Sequence, residues 1–255
     1  MPSIRIGAYK RLNNNSNLNF NVGLADTYQA KDNSEEKDLS SLFINYYNFN
    51  DNNAFSSAIS YNKSNYRNQA DIYSYNLNLN NKFRLNSDNF LLTGINSNFT
   101  KYDNNATFST TRQKNSYSYG GSIGYEMNYL NNKLTFNYSA NEVEALADQY
   151  GYDQDIFLYN LSRKMKFGTA ALSKSFTHNE YAKADTFVLS NTIRNDELEN
   201  TSISLRGELS KIYFFNKFKI LSDTYYNLIM SKIESESNIL NYDYVKEIYS
   251  IGLTK

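Results

Sequence analysis

Hydrophobic and polar residues alternate one by one along much of this chain. Residues 133–141 run Lys-Leu-Thr-Phe-Asn-Tyr-Ser-Ala-Asn, which puts Leu134, Phe136, Tyr138 and Ala140 on one face and Thr135, Asn137, Ser139 and Asn141 on the other. A period of two is that of a β-strand with one apolar face. It returns at Leu18, Phe20, Val22 and Leu24 against Asn19, Asn21, Gly23 and Ala25, and at Phe55, Ser57, Ile59 and Tyr61 against Ser56, Ala58, Ser60 and Asn62. It recurs at Tyr73, Tyr75, Leu77 and Leu79 against Ser74, Asn76, Asn78 and Asn80, and along Tyr117, Tyr119, Gly121, Ile123, Tyr125, Met127 and Tyr129. Helical periodicity is nowhere comparable. The strands run about nine to fifteen residues, longer than those of a soluble sandwich and the length a tilted membrane-crossing strand needs. Tyr117, Tyr129 and Tyr138 are placed at strand ends, where an aromatic girdle meets lipid headgroups.

The links between strands alternate in length. Short Asn-rich links are expected at 13–17, 50–53, 130–133, near Lys166–Gly168 and near Phe215–Lys217, because Asn tolerates the left-handed conformation of tight hairpins. Longer, charged links fall at 30–38, 102–114, 145–153, 179–199 and 233–240. Short turns on one rim and long loops on the other is the outer-membrane pattern, with the short side periplasmic. Counting back from the C-terminus places strands at 240–255, 217–232, 200–213, 168–178, 153–165, 133–144, 115–130, 90–101, 70–83, 54–64, 39–49, 18–29 and 4–12.

Composition agrees with strands that bury one face and wet the other. The 255 residues hold 24 Tyr and 16 Phe in an Asn- and Ser-rich background, with one Pro, no Cys and no Trp. Lys and Arg number 26 against 26 Asp and Glu, with no basic run, so no nucleic-acid partner is expected. Without Cys and with a single His, zinc sites, thiol nucleophiles and disulfides are out of reach. No apolar run is long enough for a transmembrane helix. The reading is an all-β protein: one antiparallel transmembrane outer-membrane β-barrel over residues 1–255, with thirteen strands of an expected fourteen. Its lipid face carries Leu77, Leu79, Ile123, Tyr125, Leu134, Phe136 and Tyr138; its lumen is lined by Asn76, Asn78, Asn137 and Ser139. Glu126, Arg206 and Glu208 lie on polar faces and are read as lumen charges, tolerated because water reaches them.

An odd count makes the first and last strands run the same way, whereas a barrel with both termini in the periplasm needs an even one. An ascending strand is therefore expected to be missing before 4–12, and the chain is expected to be trimmed at both ends. The outcome would be a parallel seam or an open slot, with Ile4, Ile6 and Ala8 on one side and Tyr249, Ile251 and Leu253 on the other.

Catalytic and metal chemistry find little footing. His178 has Ser173, Ser175 and Asn179 nearby, but Ser175 and Thr177 fall on the face opposite it. Asp148, Asp153 and Asp155 with Gln154 match no calcium-loop spacing and read as solvated loop acids. No cofactor and no enzymatic activity are expected.

The last segment carries a family resemblance. Ser237-Asn238-Ile239, Tyr242-Asp243-Tyr244 and Lys246, followed by Ile251-Gly252-Leu253-Thr254, resemble the closing hairpin of the surface lipoprotein assembly modifier (Slam) barrels. Ala8-Tyr9-Lys10-Arg11-Leu12 leading to Leu18 resembles an early strand of that family, and Arg194-Asn195-Asp196 its charged loop before the antepenultimate strand. The resemblance is tight over the last twenty residues and loose elsewhere. It implies a fourteen-stranded barrel, preceded in full-length members by a periplasmic helical-repeat domain, that helps move lipoproteins or secreted proteins across the outer membrane. The partners so implied are outer-membrane lipid, protein cargo and the barrel assembly machinery. The helical-repeat domain and the first strand are not in this sequence. A passive porin or solute channel is the alternative, although the sequence displays no clusters of opposed charge. A soluble β-rich binding module is the third reading.

Overall fold

The computed structural model describes residues 3–27, 37–66, 71–103, 114–184, 192–212, 224–239 and 242–254. Thirteen strands follow in chain order: β1 (Ser3–Asn13), β2 (Ser16–Thr27), β3 (Lys37–Phe49), β4 (Asn53–Tyr66), β5 (Ile72–Arg84), β6 (Asn89–Tyr102), β7 (Ser116–Tyr129), β8 (Asn132–Ala145), β9 (Tyr152–Met165), β10 (Gly168–Tyr181), β11 (Asn195–Glu208), β12 (Tyr225–Ser237) and β13 (Tyr244–Thr254). Each pairs antiparallel with its chain neighbours in one sheet ordered β1 to β13. Consecutive antiparallel pairing is what short hairpins between long alternating strands produce.

The sheet's two faces invert the soluble pattern. Along β7 every second residue from Tyr117 to Tyr129 is exposed, and these are the apolar ones. Ile59, Ile95 and Ile123 are 57%, 63% and 56% exposed, while Glu126 is 5% exposed. Such a wall is stable only where its outside meets hydrocarbon. A Cβ added to Gly120 would stand 2.1 Å from Asn141 Oδ1, whereas one on Gly121, on the opposite face, meets nothing closer than a carbonyl oxygen at 3.6 Å. Strands of 14 residues rise about 45 Å along their length, enough to cross an apolar band of about 25 Å at a tilt of about 40°.

Several expected boundaries move. β12 continues to Ser237, through part of the expected 233–240 loop, because its ladder with β11 holds as far as Asp196↔Ser237. β10 runs on to Tyr181 and β11 begins at Asn195, both inside the expected 179–199 loop. A further turn at 85–88 joins β5 to β6. The expected link near Phe215–Lys217 and the start of the expected strand 217–232 lie outside the described residues. Tyr138 is not at a strand end: it sits mid-strand in β8 opposite Ile123, with its hydroxyl on Asp155.

Asn also works differently from expectation. Among the described residues the non-glycine position with positive φ is Leu130, at 54°. In the turns, Asn side chains instead accept backbone N–H groups: Asn13 Oδ1 from Asn15 at 2.8 Å, Asn50 Oδ1 from Asn52 and Asn53 at 2.9 and 2.8 Å, and Asn86 Oδ1 from Asp88 and Asn89 at 3.0 Å. The side chain closes the turn by mimicking a backbone carbonyl.

β1 and β13 are the edges of the sheet, and no ladder joins them among the described residues. Ile4, Ile6 and Ala8 stand on one edge strand, and Tyr249, Ile251 and Leu253 on the other.

Candidate functional site: the lumen wall and its rims

The ladder register assigns each side chain to a face. Asn76 pairs with Ser60 and Asn98, and Asn78 with Ala58 and Asn96, all on the inner face. Asn137 faces Gly124 and Ser139 faces Ser122, so these two join the same face. Glu126, two residues beyond Gly124, falls on it, as do Arg206 and Glu208 through the Thr169↔Arg206 pair. The seam residues do not join them. Closed into a ring, thirteen strands about 4.8 Å apart and tilted about 40° would have a backbone radius of roughly 13 Å, wider than side chains alone fill.

The lumen wall carries a belt of amides that climbs from the middle of β6 toward the long-loop ends of β9 and β10. Asn96 Nδ2 donates to Asn141 Oδ1 at 3.0 Å, Asn141 Nδ2 to Gln154 Oε1 at 3.3 Å, and Gln154 Nε2 to Asn179 Oδ1 at 2.9 Å. The chain of bonds runs from β6 to β10 and crosses β7 at Gly120, where a missing side chain lets Asn96 reach Asn141. On the same face Asn45, Asn98 and Asn200 have buried Oδ1 atoms with no protein partner among the described residues, an arrangement suited to a wet lumen.

Toward the short-turn rim, Glu126 is held between two ammonium groups. Lys82 Nζ lies 2.7 Å from Oε1 and Lys133 Nζ 2.9 Å from Oε2, while Lys82 also lies 4.0 Å from the Phe90 ring centroid. The three charges come from β5, β7 and β8, and no spacing along the chain announced them. The sequence displayed no cluster of opposed charge because ladder pairing, not proximity in sequence, assembles this one. A second basic group borders a cavity of about 600 Å³ where β9 to β12 reach the same rim, lined by Lys164, Lys166, Arg206 and Lys211 with Glu208. Lys211 Nζ reaches Glu208 Oε2 at 3.1 Å.

The long-loop rim is knotted around Arg194. Its guanidinium lies 3.3 Å from the Tyr242 ring centroid and 4.6 Å from that of Tyr181, and its Nε donates to Asp196 Oδ1 at 2.9 Å. Burial is the largest single influence and works against the charge, but the bond to Asp196 together with the electrostatic pull of Tyr181, Asp196 and Tyr242 outweighs it and raises the guanidinium pKa. Asn238 Nδ2 donates to the Ile193 carbonyl at 2.7 Å, and its Oδ1 accepts the Asn195 N–H at 2.8 Å. Asp243 Oδ1 accepts the Ser237 N–H at 2.6 Å. Arg194, Asn195 and Asp196 thus form one unit with Asn238 and Tyr242, and Ser237 is tied to Asp243 beside them.

His178 does not meet the hydroxyls near it in sequence. Ser173, Ser175 and Thr177 face inward, whereas His178 faces outward between Asp155 and Glu197, its Nδ1 4.0 Å from Glu197 Oε1. It borders an outer cavity of about 500 Å³ with Phe157 and Phe176 and the acids Asp155, Glu199, Glu234 and Glu236. Charge at this density is not tolerated in hydrocarbon, so this part of the wall stands beyond the apolar band. Asp148, Asp153 and Asp155 do not converge: Asp148 pairs with Lys183, Asp155 accepts from Tyr138, and Gln154 points into the amide belt. Among the described residues no His, Asp and Glu grouping is arranged to hold a metal ion.

A long-stranded antiparallel wall, apolar outside and amide-lined inside, defines an outer-membrane β-barrel, and the chain is a protein of the bacterial outer membrane. No family model and no curated protein matches the sequence. Among solved structures it is similar to Acinetobacter baumannii OccAB3, at 10% identity and a TM-score of 0.53 over 97% of this chain and 66% of that one. Acinetobacter baumannii OccAB4 aligns at 10% identity and a TM-score of 0.49, covering 95% of this chain and 64% of that one. LpxR from Salmonella typhimurium aligns at 9% identity and 0.40, covering 84% and 86%. The chain spans just under two thirds of the OccAB3 and OccAB4 chains, and the likeness to OccAB3 is one of fold.

Proposed function

We propose that this barrel is a passive channel for small polar solutes across the outer membrane. The observation that carries the reading is the amide belt from Asn96 to Asn179, a polar lining without net charge that suits water and hydrated solutes. The chain, folded in detergent and confirmed by heat-modifiable gel mobility, is expected to give stable conductance steps in planar bilayers. A folded barrel that carries no current would remove the channel reading.

A second reading, assistance in moving lipoproteins or secreted proteins to the cell surface, is favoured by one feature. Several residues that carry the Slam resemblance, Arg194, Asn195, Asp196, Asn238 and Tyr242, are those that build the long-loop knot. Restored surface display of a lipoprotein in cells lacking their own factor, lost on Arg194→Ala with the barrel still folded, would support it over the channel.

A further inference from the structure

We infer that the cavity bordered by Lys164, Lys166, Arg206 and Lys211 at the short-turn rim binds small multivalent oxyanions, with inorganic phosphate as the simplest member. The inference rests on the lumen reading for its location but not on conduction. Lys164 on β9 and Arg206 on β11 face inward and flank Thr169 of β10, since Thr169 pairs with both. Lys166 joins them from the β9–β10 turn, and Lys211 from the 3-10 segment that follows β11. Against these cations the cavity holds one carboxylate, Glu208, and Lys211 at 3.1 Å meets it. Lys164, Lys166 and Arg206 have no carboxylate partner among the described residues. The cavity therefore keeps a positive surplus in a recess of about 600 Å³, large enough for a hydrated phosphate.

The donor set suits an oxyanion. A guanidinium presents paired N–H groups in the plane that two oxygens of a phosphate occupy, and ammonium groups neutralise the remaining charge. Around the wall Lys133 of β8 continues the positive arc toward Lys82, but there Glu126 is already shared by both lysines. The opposite rim contrasts, because Arg194 is committed to Asp196 and the two rings. An anion entering from the short-turn side meets the surplus first, within the reach of about 10 Å that electrostatics has at 0.1 M salt.

The test is calorimetric titration of inorganic phosphate into the folded chain in neutral detergent, beside a Lys164→Gln/Arg206→Gln variant. Saturable binding to the parent chain is expected, weakened at least about tenfold in the variant, the scale of losing a charge-assisted contact. Absence of binding to the parent, or equal binding to a variant with native heat-modifiable mobility, overturns the assignment. Should the variant not fold, chloride decides on the parent: affinity that declines as chloride screens the site supports it, and salt-independent affinity overturns it. Phosphate binding by a barrel that carries no current overturns the channel reading and leaves this site standing. Current without phosphate binding does the reverse.

Discussion

Lys82 Nζ and Glu126 Oε1 meet at 2.7 Å on the lumen wall although 44 residues separate them in the chain. With Lys133 on the second oxygen, the carboxylate is the acceptor for two cations and is 6% exposed, while the lysines keep 32% and 49% of their side-chain surface. Glu126→Gln leaves both ammonium groups facing a neutral amide. We expect a loss of about 1–3 kcal/mol, the range for a hydrogen-bonded charge that loses its partner, tempered by the water that reaches the lysines. Urea titration of the folded barrel in lipid vesicles checks it. A loss confined to a few tenths would mean that lumen water already solvates all three groups.

The lipid face makes a contrasting pair. Ile123→Arg, mid-strand on the outer wall, is expected to cost about 2–4 kcal/mol; Asn137→Arg, on the adjoining strand but facing the lumen, should cost far less. Equal penalties in the same vesicle titration would contradict the outward direction of Ile123.

Two neighbouring glycines separate the faces by one residue. Gly120→Ala must displace Asn141 Oδ1, 2.1 Å from the new carbon, and the Ala140 carbonyl at 2.4 Å, so the amide belt breaks at β7. A destabilisation of about 1–3 kcal/mol is expected, as for other overpacked sites. Gly121→Ala points outward with its nearest neighbour at 3.6 Å and should be near neutral. Reversal of this order by vesicle titration would show the belt to be dispensable.

Leu130 carries φ of 54° in the β7–β8 turn. The left-handed region costs a branched side chain about 1–2 kcal/mol and asparagine much less. Leu130→Asn is therefore expected to stabilise the barrel by about 1 kcal/mol. No gain in the urea midpoint would mean that the turn relaxes in solution.

On the long-loop side Asp148 is held below the usual carboxylate range by its hydrogen bond from Lys183, with their opposite charges adding to the effect. A folded pKa below the unfolded one means that this contact contributes fully above about pH 4 and is lost as pH falls through the depressed value. The protection of the 146–151 and 182–184 backbone against hydrogen exchange, taken relative to the intrinsic rate at each pH, should therefore fall on acidification, and Asp148→Asn should show the lower protection already at neutral pH. Identical protection in the variant and the parent at neutral pH would show the contact to be incidental.

Most of the wall is legible in the chain itself. Alternation of Leu134, Phe136 and Tyr138 with Thr135, Asn137 and Ser139 determines both strand and facing, because a β-strand sends successive side chains to opposite sides and water accepts one of them. Boundaries depart from the pattern where charge mimics a loop: Glu234 and Glu236 lie in β12, in a part of the wall where lipid imposes no apolar rule. What only the tertiary structure decides is which residues meet across strands. The Lys82–Glu126–Lys133 triad, the amide bonds spanning Gly120 and the basic recess at Arg206 each draw on at least three strands. Their register is set by turn length and by backbone hydrogen bonds along whole ladders, and a shift of two residues would keep the same alternation while changing every partner.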